Sequence, residues 1–257
     1  MARLPRIDLA GFHHVINRGV EKRKIFTQPE DFERFLTLLC ELCSKYEVTL
    51  HSYCLMSNHY HLLIETQQEN LSKFMRALNA QYAAYFNRKY KRVGHLWQGR
   101  FKSWFVTDEA YLYTLIKYIE FNPLKANMVK SLQEYPYSSY NAFTNQLSPI
   151  ACLKESVMFT QFLKVEDRVE FFESWYDEDV LKEIQKASRL VVSSITKKEL
   201  PLKDLKALFH PTTTKLERNA NILKAVTLGY SQNEIAKVLG VTQGTISHVL
   251  RKSSVEN

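Results

Sequence analysis

Four segments in the first half of the chain have a pattern of hydrophobic and polar positions that is typical of strands. Residues 12–18, 48–56 and 59–66 have this β-rich composition, and an aromatic segment at 100–106 follows later. Ser57-Asn58 lies between the second and third segments and predicts a tight hairpin turn. We therefore expect four strands, two of them joined as a hairpin.

Segments in which apolar residues have helical spacing lie between and after these strands. Thr27 and Glu30 form a candidate capping box before the first helix, and a second helix is predicted over 71–90. A third is predicted over 108–122, with Asp108 as its N-cap, and it ends there because the next residue is proline. The order β-α-β-β-α-β plus one helix predicts an α+β fold: a ferredoxin-like split βαβ antiparallel sheet with packed helices.

The pattern changes after residue 145. Residues 166–183 carry eight acidic and two basic side chains, so we predict a partly acidic helical connector over 146–205. Two short helical patterns follow, with Gly240 at the turn between them, and they predict a C-terminal helix-turn-helix within 206–257. A helical hairpin that docks on another subunit is the alternative for this last segment.

Composition indicates a globular protein. Hydrophobic residues make up 45% of the 257 residues, yet no segment approaches the roughly 20 apolar residues of a membrane helix, and the first residues contain no apolar signal-peptide core. We predict a cytoplasmic protein without a membrane partner. The four cysteines, which include the pair Cys40 and Cys43, are expected to be reduced core thiols.

Charge points to a polyanionic partner. The net charge is +8, and residues 70–107 contain eight basic side chains, nine aromatic side chains and no acidic one. Cations neutralise phosphates and aromatic rings stack on unpaired bases, so this stretch suits single-stranded nucleic acid or hairpin tips. A solvated basic helix face above core aromatics is the alternative. The candidate DNA-binding residues of this stretch are Arg76, Arg88, Lys89, Lys91, Arg92, Trp97, Arg100 and Lys102.

The predicted recognition helix of the helix-turn-helix adds a second group of polar side chains. They lie on its exposed positions, where they could reach base edges in a major groove, and they are Gln243, Ser247, His248 and Arg251.

Four residues could carry chemistry. The strand period puts His59 and His61 on one face, where they could bind one divalent ion. Tyr118 and Asn122 are four residues apart and therefore lie on one helix face, so a ligand and a hydroxyl nucleophile could be delivered together. A hydrogen-bonded histidine pair beneath a helix and a core tyrosine are the corresponding structural alternatives.

Three other histidines and one acid are weighed separately. His51 is expected to be a satisfied core histidine, with an outer role beside the metal as the alternative, and His13 and His14 receive no role. Glu65 shares the face of the histidine pair, and a solvated strand end is the preferred interpretation.

Three motifs resemble one family. CLMSNHYHLLIE, GHLWQGRFKSWFV and YIEFNPLKANMV, in this order, are similar to motifs of the single-tyrosine HUH transposases, closest to the REP-associated tyrosine transposases related to IS200/IS605 enzymes. The resemblance covers roughly residues 10–143, through YPYSSY, and implies that 1–145 is the catalytic domain. The chain departs from the family pattern at Ser57, Lys125 and Asn127, and none of these departures removes a catalytic group.

The resemblance also implies residue roles. Tyr118 would be the nucleophile, and His59, His61 and Asn122 would bind Mg²⁺ or Mn²⁺. The implied reaction is cleavage and strand transfer of single-stranded hairpin or repeat DNA through a 5′-phosphotyrosine, without a nucleotide cofactor, in a monomer or homodimer. A relaxase-type or rolling-circle nicking enzyme and a DNA-binding regulator derived from a transposase are the alternatives.

Overall fold

In the computed structural model, two compact units divide the chain, Met1–Ser193 and Ser194–Asn257. The residues that the structure describes are 8–106, 110–176, 179, 182, 202–209, 215–227, 230, 232–241, 245, 246 and 249.

The first unit is built on a four-stranded antiparallel sheet. Its strands are β1 (Gly11–Arg18), β2 (Val48–Met56), β3 (His59–Thr66) and β4 (Lys102–Phe105), in the spatial order β2-β3-β1-β4. The predicted strands and the β2–β3 hairpin are confirmed, although β4 is shorter than the predicted segment 100–106. Strands β1 and β3 are central, so side chains on both of their faces are covered.

The helices of this unit lie on both faces of the sheet. The long ones are α1 (Pro29–Tyr46), α2 (Leu71–Lys89) and α3 (Ala110–Glu120); short ones are α4 (Asn122–Lys125), α5 (Tyr140–Phe143), α6 (Val157–Thr160) and α7 (Val165–Glu173). Tyr60 of β3 contacts Phe35 of α1, which in turn packs on Tyr82 of α2. The neighbouring His61 points to the opposite face and contacts α3 through Tyr118. The order β-α-β-β-α-β and the antiparallel sheet with packed helices are therefore confirmed.

The beginning of α1 differs from the prediction. Its N-cap is Gln28 rather than Thr27, and Asp31 rather than Glu30 reaches back to the preceding backbone. The Asp31 carboxylate accepts hydrogen bonds from the backbone N–H groups of Thr27 and Gln28. The shift of one residue follows from Pro29, which occupies the first helical turn and has no N–H to offer.

The end of the helix before Pro123 also differs from the prediction. Helix α3 ends at Glu120, two residues before the predicted end, and Pro123 lies in the first turn of the separate helix α4. A proline is tolerated in a first turn, so the chain resumes helical geometry after Phe121. The predicted N-cap Asp108 lies outside the described residues.

Residues 146–176, the first part of the predicted connector, pack against the sheet unit. Ser156 donates a hydrogen bond to the carbonyl of His51, and the buried guanidinium of Arg168 donates to the carbonyls of Phe143 and Phe162. Phe172 packs on Phe143. This part of the acidic segment therefore contributes to the core as well as to a solvated face.

The cysteine prediction is wrong for two of the four residues. Cys40 of α1 and Cys152 form a disulfide across 112 residues, with a Cα–Cα distance of 5.0 Å. Cys43 and Cys54 are buried free thiols, as expected, and burial raises the pKa of Cys43 to about 12. Residue spacing cannot identify a partner so distant along the chain, because the tertiary fold brings the two sulfur atoms together.

The second unit has its own small core. Its helices are α8 (Leu202–Ala207), α9 (Lys215–Thr227) and α10 (Gln232–Leu239), and its buried residues include Leu205, Ile222 and Ile235. Gly240 follows α10 with φ of +63°, which agrees with the predicted turn. The second helix of the helix-turn-helix remains a prediction, because Gln243, Ser247, His248 and Arg251 lie outside the described residues.

Over the described part of the chain, every helix is too short or too polar to cross a lipid bilayer.

Candidate active site

A cavity of about 570 Å³ opens on the face of the sheet that α3 covers. Six of the residues singled out in the sequence line it: His59, His61, Arg100, Lys102, Tyr118 and Asn122. The sheet supplies the two imidazoles, α3 supplies the phenol, and Asn122 begins α4. The predicted nucleophile and the three predicted metal ligands therefore border one space.

The strand register explains how these groups converge. In β1, Ile16 lies opposite His61, and in β2 Cys54 lies opposite the same residue, so His61 is at the centre of the sheet. The ring of Tyr118 meets the ring of His61 edge to face, with a centroid distance of 5.6 Å. His59 contacts His61 at 5.1 Å between ring centroids, nearer the end of the strand.

Both imidazoles of the pair are neutral at physiological pH. Burial lowers the pKa of His59 to about 4, with a smaller contribution from the charge of Arg18. Burial also lowers the pKa of His61 well below its ordinary value, and His14 and His59 add to the effect. A neutral imidazole has one nitrogen lone pair, which is the form that binds a metal ion.

His61 has one nitrogen that could accept a cation. Its Nδ1 atom is 3.1 Å from Nε2 of His14, whereas its own Nε2 atom is buried and has no hydrogen-bond partner among the described residues. A buried polar atom without a partner is costly unless something binds it. A buried ring nitrogen that has no hydrogen-bond partner among the described residues, in a residue that lines the cavity, therefore fits a metal ligand.

Asn122 is oriented by the end of α3. Its Nδ2 atom donates to the carbonyl of Tyr118 at 2.7 Å and to that of Ile119 at 3.3 Å. With the amide nitrogen used in this way, the amide oxygen is the atom that could bind a cation. Among the described residues no cluster of three or more His, Cys, Asp or Glu side chains has metal-site geometry, so a site here depends on an amide ligand.

His14 belongs to this site, although the sequence analysis gave it no role. Its ring stacks on His61 and on Trp104, each at 5.4 Å, and meets Tyr118 edge to face at 5.6 Å. Burial lowers its pKa to about 3. The signal that could have found it is the strand period: His14 shares a face with Ile16, and Ile16 pairs with His61. That pairing is not visible in one sequence.

Glu120 is a second residue that the sequence analysis did not identify. It is fully buried, and its carboxylate accepts hydrogen bonds from the hydroxyls of Ser52 and Ser139 and from the backbone N–H of Tyr140. These bonds fix the end of α3, two residues beyond Tyr118, to β2 and to the YPYSSY run. Burial raises the pKa of Glu120 to about 7, against the opposing effect of its hydrogen bonds.

We predict a pH-dependent stability from Glu120. Because its pKa is near 7 in the folded protein and 4.5 when unfolded, its contribution is most favourable below pH 4.5 and declines up to about pH 7. The free energy of unfolding should decrease by about 3 kcal/mol over that interval. Urea denaturation at pH 4.5 and 7.5 measures this. Glu120→Gln should remove most of the difference, whereas Glu134→Gln, at an exposed carboxylate, should retain it.

Tyr176 reaches the site from the predicted connector. Its ring meets that of Tyr118 edge to face at 5.7 Å, and it is only 4% exposed. Trp175 stacks on Tyr176 and packs against Phe121, just beyond α3. Residues 166–183 were predicted to be part of a partly acidic helical connector, and the aromatic pair within them supports the helix that holds Tyr118.

The candidate DNA-binding residues of the stretch 70–107 divide into two groups. Arg100 and Lys102 line the cavity with Tyr118, and Trp104, which was not singled out, lines it as well. The others do not line it. Of these, the exposed residues are Arg76, Arg88, Lys89 and Lys91, whereas Arg92 and Trp97 are half-buried.

Two members of the second group have structural contacts. Lys89 Nζ lies 2.8 Å from a carboxylate oxygen of the buried Asp31, so this cation helps to fix α2 to α1. Trp97 donates from Nε1 to the carbonyl of Asn79 and packs on Tyr60, which is a core role.

The expectation for His51 is confirmed. It is buried, its Nε2 lies 3.3 Å from a carboxylate oxygen of Glu65, and its Nδ1 accepts a hydrogen bond from the backbone N–H of Val157. Glu65 is half-buried beside it rather than fully solvated, and neither residue lines the cavity.

Comparison with known proteins identifies the domain. Residues 11–122 match the family model described as "Transposase IS200 like", a segment that contains β1 to α3 and all four candidate catalytic residues. By class, then, this segment is similar to a transposase domain. More narrowly, residues 11–122 are similar to the IS200-like transposase family, and the resemblance drawn from the three motifs is confirmed.

Individual relatives are more distant. A Haemophilus influenzae protein assigned to the REP-associated tyrosine transposases is 26% identical in an alignment of length 112 that covers 39% of this chain and 64% of that protein. The solved structure of a REP-associated tyrosine transposase bound to a REP hairpin is 17% identical, with a TM-score of 0.49, over 58% of this chain and 89% of that one. A transposase structure from Deinococcus radiodurans is 19% identical, with a TM-score of 0.34, over 47% and 96%.

Proposed function

We propose that this protein is a metal-dependent tyrosine transposase that cleaves and rejoins single-stranded DNA. One observation carries the proposal: Tyr118, His59, His61 and Asn122 border a single cavity that is also lined by Arg100 and Lys102. A protein that only binds DNA does not need these four side chains together, because binding alone requires neither a hydroxyl nucleophile nor a pair of neutral imidazoles. The class of HUH enzymes unites these features in one reaction.

The proposed reaction is an exchange of phosphodiesters. The phenolic oxygen of Tyr118 attacks a backbone phosphorus atom, a 5′-phosphotyrosine bond forms, and the bond to the 3′ oxygen breaks. The phenolic proton is lost and the 3′ oxygen becomes a hydroxyl. The number of phosphodiester bonds does not change, so no nucleotide cofactor is required, and a 3′ hydroxyl of another strand can reverse the step.

Each cavity residue has a role in this proposal. His59 and His61 through ring nitrogens, and Asn122 through its amide oxygen, would hold Mg²⁺ or Mn²⁺. When bound, the ion supplies Lewis-acid polarisation of the phosphate. Arg100 and Lys102 would pair with phosphate oxygens, and the hydrogen bonds of Glu120 and the contact with Tyr176 hold the helix that presents Tyr118.

The proposed substrate is a single-stranded hairpin or repeat. The basic and aromatic stretch 70–107 suits unpaired bases and backbone phosphates, and the relative from H. influenzae is assigned to a REP-associated group. We further propose that residues 206–257 form a helix-turn-helix that contributes to site selection, and that the protein acts in the cytoplasm as a monomer or homodimer.

Covalent capture tests the proposal. Full-length protein is mixed with Mn²⁺ and with 5′- or 3′-labelled single-stranded hairpins from DNA that flanks the gene. The expected result is an adduct that survives denaturing electrophoresis, carries only the label 3′ to the cut and is lost with a chelator. Hairpin binding without any adduct would favour the regulator alternative. An adduct on long unstructured strands but not on hairpins would favour a relaxase-type enzyme.

A salt titration tests the role of Arg100. If its guanidinium neutralises one phosphate, Arg100→Ala should weaken single-stranded DNA binding by about fivefold, or about 1 kcal/mol. It should also reduce the slope of log affinity against log salt by about 0.7. Lys154→Ala removes the same charge from an exposed position that does not line the cavity, and both quantities should stay at the wild-type value. Equal losses in both variants would contradict a specific contact.

A further inference from the structure

His14 is the only side chain hydrogen-bonded to His61 among the described contacts. Its Nε2 atom lies 3.1 Å from Nδ1 of His61, and both rings are buried. The two rings are nearly parallel, with an interplanar angle of 17°. One hydrogen atom must lie between these nitrogens, because two lone pairs or two N–H groups would repel each other.

The position of His14 is fixed from several sides. Trp104 of β4 stacks on its ring at 5.4 Å, and the ring of Tyr118 meets it edge to face at 5.6 Å. His14 and Trp104 are also direct neighbours in the β1–β4 register. The ring is therefore held by packing, and its Nε2 points at His61 independently of any ligand.

The bridging hydrogen decides what the other nitrogen of His61 can do. If His61 donates from Nδ1, its Nε2 keeps a lone pair and can bind a cation. If His14 donates instead, Nε2 of His61 carries a hydrogen, and that N–H is buried with no acceptor among the described residues. Hydrogen bonds of this kind orient metal-binding histidines and fix their tautomer.

We propose that His14 is a positioning residue: it accepts the hydrogen bond from Nδ1–H of His61 and so holds His61 in the tautomer whose Nε2 lone pair binds the divalent cation. The inference rests on the proposed metal site and extends it with a residue that touches neither the metal nor the DNA phosphate. His14 has this role because it shares the sheet face of His61; the adjacent His13 points to the other face, where it bonds to the carbonyl of Leu9.

Metal binding without DNA tests this role. His14→Phe keeps a ring between Trp104 and Tyr118 but removes the acceptor, and Mn²⁺ affinity, measured by electron paramagnetic resonance of free Mn²⁺, should fall by about 10- to 100-fold. His14→Gln returns an acceptor and should recover much of the affinity. His13→Phe, the matched change on the same strand, should bind Mn²⁺ like the wild type.

The tautomer is measured separately in the metal-free protein. Nitrogen-15 chemical shifts should show His61 protonated at Nδ1 in the wild type and a mixture of tautomers in His14→Phe. Wild-type protonation at Nε2, unchanged Mn²⁺ affinity in His14→Phe, or equal losses in the Phe and Gln variants would each overturn the role of His14. Failure of the wild type to bind Mn²⁺ would instead overturn the metal site of the proposed function, and the inference with it.

Discussion

Replacing Tyr118 with phenylalanine is expected to abolish the covalent DNA adduct. The change removes one oxygen atom and leaves a ring that can still contact His61, His14 and Tyr176. The loss in adduct yield should be at least about 10³-fold, because Tyr118 carries the only hydroxyl among the described residues that line the cavity. Binding of the hairpin, measured by fluorescence anisotropy, should change by less than about threefold, since aromatic packing is retained.

A second tyrosine of the same helix provides the control. Tyr113 is also half-buried in α3, but its ring packs on Phe162 and Phe171 rather than on the imidazoles. Tyr113→Phe should therefore form the adduct at the wild-type level. An adduct in Tyr118→Phe that matches the wild type would show that another nucleophile acts, and the assignment would have to be abandoned. Chelation should prevent the adduct in the wild type and in Tyr113→Phe alike.

Local periodicity was sufficient to predict the pairs of chemical groups. The two-residue period of a strand puts His59 and His61 on one face, and the helical period puts Tyr118 near Asn122; both relations depend on backbone geometry over a few residues. The tight turn at Ser57-Asn58 is equally local. These are the parts of the site that a single sequence can define.

Groups that meet only through tertiary structure could not be predicted. His14 joins the site because β1 pairs with β3 in one particular register, and Glu120 finds Ser139 because the chain returns to the sheet after α4. In the sequence Lys89 is one of the basic residues of the stretch 70–107 that suggest DNA binding. In the structure its position is determined by the buried carboxylate of Asp31. Family resemblance indicated the residues that we propose to react, whereas the residues that hold them in place became visible only in the structure.

The Cys40–Cys152 disulfide is expected to have the largest effect on stability. It closes a loop of 112 residues between α1 and the segment that follows α5. A cross-link of this length restricts the unfolded chain strongly, so reduction should lower the free energy of unfolding by about 4 kcal/mol. The same difference should appear between oxidised and reduced protein in urea denaturation, and intact mass should increase by about 2 Da on reduction.

A double-mutant cycle separates the bond from the side chains. Because either substitution breaks the same bond, Cys40→Ser, Cys152→Ser and the double variant should all lose about 4 kcal/mol, rather than twice that amount for the pair. Reductant should have no further effect on any of them. Cys43→Ser leaves the disulfide intact, so this variant should still respond to reductant. Additive losses in stability, with no response of the wild type to reductant, would mean that the two thiols are not bonded. Disulfides are uncommon in reducing compartments.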